Sequence, residues 1–213
     1  MKSLRQYIRN LLIEAMNTPS MLPADVVIVI ADVEEEPVEI YYAVIDSSTG
    51  EHHRLRQNDR VYAYLSGDSK SKVWGDITIE EIDEDVYGEC EGAMNVGSAA
   101  ASSGWGPLLY DVAIEYATLK ANGLTPDRDG VSQEASHVWN YYLRNRKDVQ
   151  AHQLDNLSSS LGLSMGSKEC DQDVSIKDTG ENSSWWNSPL SKRYTKAPTT
   201  INALKPSGKL VIL

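Results

Sequence analysis

The chain has no phenylalanine, two cysteines in 213 residues, and no apolar run approaching the roughly 18–20 residues that cross a bilayer as a helix. A membrane-spanning protein is therefore not expected, and the N-terminus lacks the apolar core of a secretory signal. Cys90 and Cys170 are too few for a disulfide framework, and no CxxC or Cys/His array suggests zinc, so reduced thiols in a cytosolic setting are expected. Positive charge is also scarce. The 20 Lys and Arg face 31 Asp and Glu, for a net charge of -11. Such a chain repels phosphate backbones, which makes nucleic acid an unlikely partner. The missing phenylalanine excludes nothing, since 11 Tyr and 5 Trp supply aromatic area. There is no internal repeat.

The charge that is present is segregated. Seven carboxylates lie between Glu80 and Glu91, whereas the segment from Trp185 onward carries five Lys/Arg and no acid. The two stretches are candidates for mutual attraction, and the basic one for an anionic partner. The default expectation for both is solvated surface.

Hydrophobic patterning divides the chain into an amphipathic N-terminal helix (1–16), a main α/β (α+β) domain (20–155), a Ser/Gly/Asp/Asn-rich linker (156–184) and a basic C-terminal segment ending in a strand (185–213). Val26–Ala31 is a continuous apolar run, typical of a strand buried on both faces. Further strands are expected at Pro37–Ile45, Arg60–Leu65, Val73–Ile82, Gly88–Val96 and Val149–Leu154, and at the apolar end Lys209–Leu213. Pro107 suits the first position of a helix that stops at Asn122-Gly123, and a second helix starts near Ser132 and runs to Arg144.

Between the strand ending at Val96 and the helix starting at Gly106 lies a loop of small residues, Gly97–Gly104. A helix start exposes unpaired N–H groups and the positive end of the macrodipole, and small side chains let an anion reach the backbone. A dinucleotide fingerprint is excluded, because Gly104-Trp105-Gly106 is followed by Leu109 where a third glycine is needed.

The same stretch resembles the GNAT (acyl-CoA N-acyltransferase) superfamily. In that family a strand valine is followed by a loop ending in R/Q-x-x-G-x-G/A and then by a helix of the type aLLxxaixxA…G. Here Val96 precedes Gly106 by ten residues, the usual separation, and Pro107–Gly123 (PLLYDVAIEYATLKANG) matches the helix nearly position by position. G-x-G-P-L-L-Y-D, L-T-P-D-R and V-S-x-E-A-x-x-V-W-x-Y-Y together resemble a compact bacteriophage GNAT-like group over residues 86–155. The resemblance implies a central mixed, mostly antiparallel sheet flanked by helices. It implies acetyl-CoA as cofactor, held at Val96 and by the amides of Ala101, Ser102, Ser103, Gly104, Trp105 and Gly106, with a small-molecule or protein amine as acceptor. Two departures stand out. Ala101 replaces the motif's Arg/Gln, and Trp139 stands where the family has the tyrosine that protonates the leaving thiolate. Tyr141 and Tyr142 are the remaining candidate acids. They lie two and three residues on, about 200–300° around the helix. Glu89 and Glu91, two apart on one strand face, are candidate bases.

Leu12-Ile13-Glu14-Ala15, just after the amphipathic stretch, resembles the site at which phage maturation proteases trim capsid-targeted internal proteins. This implies a place in the phage virion interior, the host cytoplasm or both, with other virion proteins as partners. Two functions are thus carried forward: a phage N-acyltransferase, and a non-catalytic internal or structural virion protein on the same frame. A mono-ADP-ribosyltransferase lacks its Arg…Ser-x-Ser…Glu-x-Glu series.

Overall fold

The computed structural model describes residues 17–46, 48–57, 73–82, 92–127, 131–153 and 187–213. The N-terminal helix, the Arg60–Leu65 strand, both cysteines, Glu89, Glu91 and the 156–184 linker all lie outside the described residues.

The strands are β1 (Val26–Ala31), β2 (Val38–Ile45), β3 (His52–Arg54), β4 (Gly75–Glu81), β5 (Met94–Ala101), β6 (Leu124–Thr125), β7 (Val149–Gln153), β8 (Lys192–Lys196) and β9 (Leu210–Ile212). They form one mixed, mostly antiparallel sheet in the order β7-β8-β6-β5-β4-β2-β1-β9, with β3 paired to β2 beside this path. The two parallel pairings are β5 with β6 and β1 with β9. Helix α1 (Gly106–Lys120) connects β5 to β6, α2 (Gln133–Asn145) precedes β7, and α3 (Thr199–Leu204) links β8 to β9.

β1 has the bounds its apolar run dictates. Ile28 and Ile30 belong to the main core, while Val27 and Val29 pack with Ala43 in a second, smaller cluster. Both faces of the strand are covered, so it needs no alternation. Helix α1 is apolar almost all round. Leu108–Tyr110 and Val112–Ala117 are buried, as expected of a helix enclosed by its neighbours. It packs on β2, β4, β5, β6 and β8 and against α3. β9 adds to the outer side of β1, and Lys209 Nζ fastens the junction by donating to the carbonyls of Pro23, Ala24 and Val26.

The basic C-terminal stretch is only in part the solvated face expected of it: Lys205 is exposed, but the three cations of β8 are not. Lys192, Arg193 and Lys196 are 7%, 6% and 3% exposed, because β8 is an inner strand between β6 and β7. Lys196 reaches Glu115 in the C-terminal half of α1 and also donates to Thr199 Oγ1 and Thr200 Oγ1, both at 2.9 Å. Glu115 in turn accepts from the amides of Thr200 (2.8 Å) and Ile201 (2.7 Å), capping α3 across 85 and 86 residues of sequence. Each charge is paired and its remaining bonding capacity is used, the condition under which burial of an ion pair is tolerated.

Candidate functional site

β5 is longer than its composition suggests. Small residues are poor strand formers in isolation, and Gly97–Ala101 reads as loop. Yet the ladder with β4 continues through Ser98↔Thr78, Ala99↔Ile77, Ala100↔Asp76 and Ala101↔Gly75. Pairing overrides propensity here, as it does where side chains need little room. The turn into α1 is therefore only Ser102–Trp105. Ala101, expected among the loop amides, belongs to the sheet.

Two features distort this strand. Val96 pairs with Ile79 and Ser98 with Thr78, which leaves Gly97 as a bulge. A bulge bends its strand and re-aims the groups that follow. On the other side β5 is joined to β6 by only two pairs, Met94↔Leu124 and Asn95↔Thr125. Pro126 follows, and without an N–H it cannot extend the ladder. The two parallel strands part at Val96. β6 is held from its far side, where Gly123, at φ +99°, comes so close to β8 that a Cβ would sit 2.7 Å from Tyr194 O.

The parting opens a cleft of about 170 Å³, lined by Val96, Gly97, Ser98 and Ala99 of β5, Tyr110 of α1, Asp127 after β6, and Val131, Ser132, Ala135 and Trp139 at the start of α2. Ser132 caps α2 by accepting from the Ala135 amide, which fixes the helix end that forms one wall. Trp139 is 1% exposed, stacks on Tyr194 at 4.9 Å and meets Tyr110 edge-on at 5.4 Å.

The Ser102–Trp105 turn lies beyond the cleft's β5 wall, Ser102 being three residues or about 10 Å past Ala99. It is held from behind. Ser102 exchanges both backbone and hydroxyl hydrogen bonds with Trp74. Tyr42 Oη donates to Trp105 O at 2.8 Å, and the Asn17 amide donates to Gly104 O at 3.1 Å. The Ser102 amide is spent on Trp74 O and the Trp105 amide on Ser102 O. Of the turn's expected anion-binding amides, Ser103, Gly104 and Gly106 have no partner among the described residues. The first turn of α1 holds no acidic side chain, so its positive end is not neutralised from within.

Of the remaining expected residues, Val96 lines the cleft, and Tyr141 and Tyr142 do not. Tyr142 is 1% exposed, and its hydroxyl donates to Asp111 Oδ1 (2.8 Å) and Pro107 O (3.0 Å). Burial, reinforced by the Asp111 charge, raises its pKa well above the ordinary phenol value. Arg146 bridges Asp111 and Asp148 beneath it. Tyr141 is half-buried and packs edge-on to Tyr142 at 5.9 Å. The residue that sequence reasoning overlooked is Tyr110. It occupies an apolar position of the helix motif, and nothing in the pattern separates it from a core aromatic.

Among the described residues no three His, Cys, Asp or Glu side chains gather as a metal site, and no helix is long and apolar enough to cross a membrane. Comparison with protein-family profiles, with curated proteins and with solved structures finds no match to this chain.

Proposed function

We propose that the chain is a GNAT-like N-acyltransferase, moving an acetyl or acyl group from acyl-CoA to an amine. The observation that carries this reading is the parting of β5 from β6 beside the start of α1. From Val96 onward β5 has no strand on its β6 side among the described residues, so it offers main-chain N–H and C=O groups to an extended guest. Pantetheine, an extended arm with two amides, is such a guest. Further along, the amides of Ser103, Gly104 and Gly106 and the positive end of α1 suit a diphosphate. Glu89 and Glu91, on the segment before β5, stay as the proposed bases. The phage setting, with residence in the virion or host cytoplasm, is part of the same proposal.

One set of observations favours the second reading, an internal or structural virion protein that keeps the frame without turnover. Trp139 occupies the usual acid's place, Tyr142 is committed to Asp111, and the cleft is smaller than the roughly 300–1,000 Å³ of most ligand pockets.

Calorimetry and thermal unfolding with acetyl-CoA decide between them. At 100 times its dissociation constant the ligand stabilises the fold by about 2.7 kcal/mol, and a panel of amines then reports transfer. No binding at millimolar acetyl-CoA overturns the transferase reading, and binding without transfer favours the second. For the virion setting, mass spectrometry of purified particles is expected to find a chain starting at Ala15. An intact Met1 or Lys2 terminus there counts against processing.

A further inference from the structure

Three of the tyrosines on or facing α2 differ in what their hydroxyls touch. Tyr142 donates to Asp111 and Pro107 O, and Tyr141 lies outside the cleft lining. Tyr110 lines the cleft, is 5% exposed, and has no hydrogen-bond partner for its hydroxyl among the described residues. The residue is thus not wholly enclosed, and the cleft is the surface it borders. Its ring is fixed by edge contact with Trp139 at 5.4 Å and a tilted contact with Tyr142 at 6.3 Å. A buried tyrosine normally satisfies its hydroxyl within the protein. This one is positioned by apolar packing and left unspent at the edge of an opening.

We infer that Tyr110 is a catalytic hydrogen-bond donor, stabilising the negative charge that develops on a thioester bound in the cleft. The inference rests on the transferase reading and places on α1 a hydroxyl that stabilises charge without giving up its proton, a different part from the acid whose place Trp139 takes on α2. The amine nitrogen forms the new C–N bond to the acyl carbon. The C–S bond breaks and its electron pair goes to sulfur. The amine's surplus proton passes to the general base of the transferase reading, directly or through water, and the thiolate leaves as such or takes a proton from water. Tyr110 keeps its own proton throughout. Burial pushes its phenol up to about 12, so it stays a neutral donor over the working range of pH. A donor aimed at developing charge contributes most where water is excluded.

The test uses Tyr110→Phe, which retains the ring and its packing. Transfer from acetyl-CoA is measured with whichever amine the wild type accepts, alongside the calorimetric dissociation constant and the thermal midpoint. The expected result is a kcat about a hundredfold lower, with acetyl-CoA affinity held within about twofold because the lost interaction belongs to the transition state. Wild-type turnover with an undiminished kcat in Tyr110→Phe overturns the inference and leaves the transferase reading standing. A wild type that does not bind acetyl-CoA overturns both. Should the variant fail to fold, the wild type answers instead. With ¹³Cζ-labelled tyrosine, the Tyr110 resonance is expected to shift on adding acetyl-CoA, and an unmoved resonance overturns the assignment.

Discussion

The two ends of helix α1 solve opposite problems. Toward its C-terminal end, Glu115 is fully buried and every bonding position of the Glu115–Lys196 pair is taken by the start of α3. Toward its N-terminal end, amides of the preceding turn and the Tyr110 hydroxyl are left without protein partners among the described residues, beside strands that separate. A saturated polar group secures the fold, whereas an unsaturated one at an opening is available to a guest. Charge alone does not tell the two apart: the more charged end is the structural one.

The contrast can be broken most sharply at the closed end. Lys196→Ala strands the Glu115 carboxylate in the core, and denaturant unfolding is expected to show a loss of about 3–5 kcal/mol. A loss near zero would mean that the knot is not what holds β8 to α1. Tyr142→Phe comes next. Removing the hydroxyl leaves Asp111 and Pro107 O each short of a donor, and about 1–3 kcal/mol of stability should disappear in the same measurement. At the open end, Ala99→Leu fills the β5 wall of the cleft. Stability is expected to stay within about 0.5 kcal/mol, as at a typical surface site, while acetyl-CoA affinity drops at least about tenfold, or roughly 1.4 kcal/mol. Unchanged affinity would place the ligand elsewhere. The smallest effect concerns Asp148. Its hydrogen bonds from Arg146 hold its carboxyl down at about 2, from an ordinary value of 3.8. A carboxyl depressed by folding stabilises fully above the unfolded value and ceases to do so as pH falls toward the folded one. Urea midpoints should thus decline between about pH 4 and pH 2, and less steeply in Asp148→Asn. Because Asp148 is half-exposed, the difference is expected to stay under about 1 kcal/mol.

Elements with strong local patterning were legible from sequence. β1, α1 and α2 lie within a residue or so of their expected bounds, since their apolar runs, Pro107 and the Ser132 cap act locally. β5 was displaced because its second half is a strand only by virtue of β4. β8 was hidden because Lys-Arg-Tyr-Thr-Lys reads as surface until Glu115 of α1 is placed beside it, 81 residues away in sequence. At the site, Val96 and the turn before Gly106 carried a local signal. The cleft itself did not, since it arises from Pro126 ending one ladder and Gly97 bending another, and neither residue announces that role by spacing.

The sheet is also closed late. β1 sits between β2, made soon after it, and β9, which supplies Leu210–Ile212, while β6 waits for Tyr194 of β8. On the ribosome, both the first strand and the short strand beside the cleft therefore emerge with one side unpaired, and stay so until nearly all of these residues have been synthesised. A stalled or truncated product lacking the last two strands would expose two raw edges at once, the kind of surface that quality-control proteases and aggregating neighbours find first.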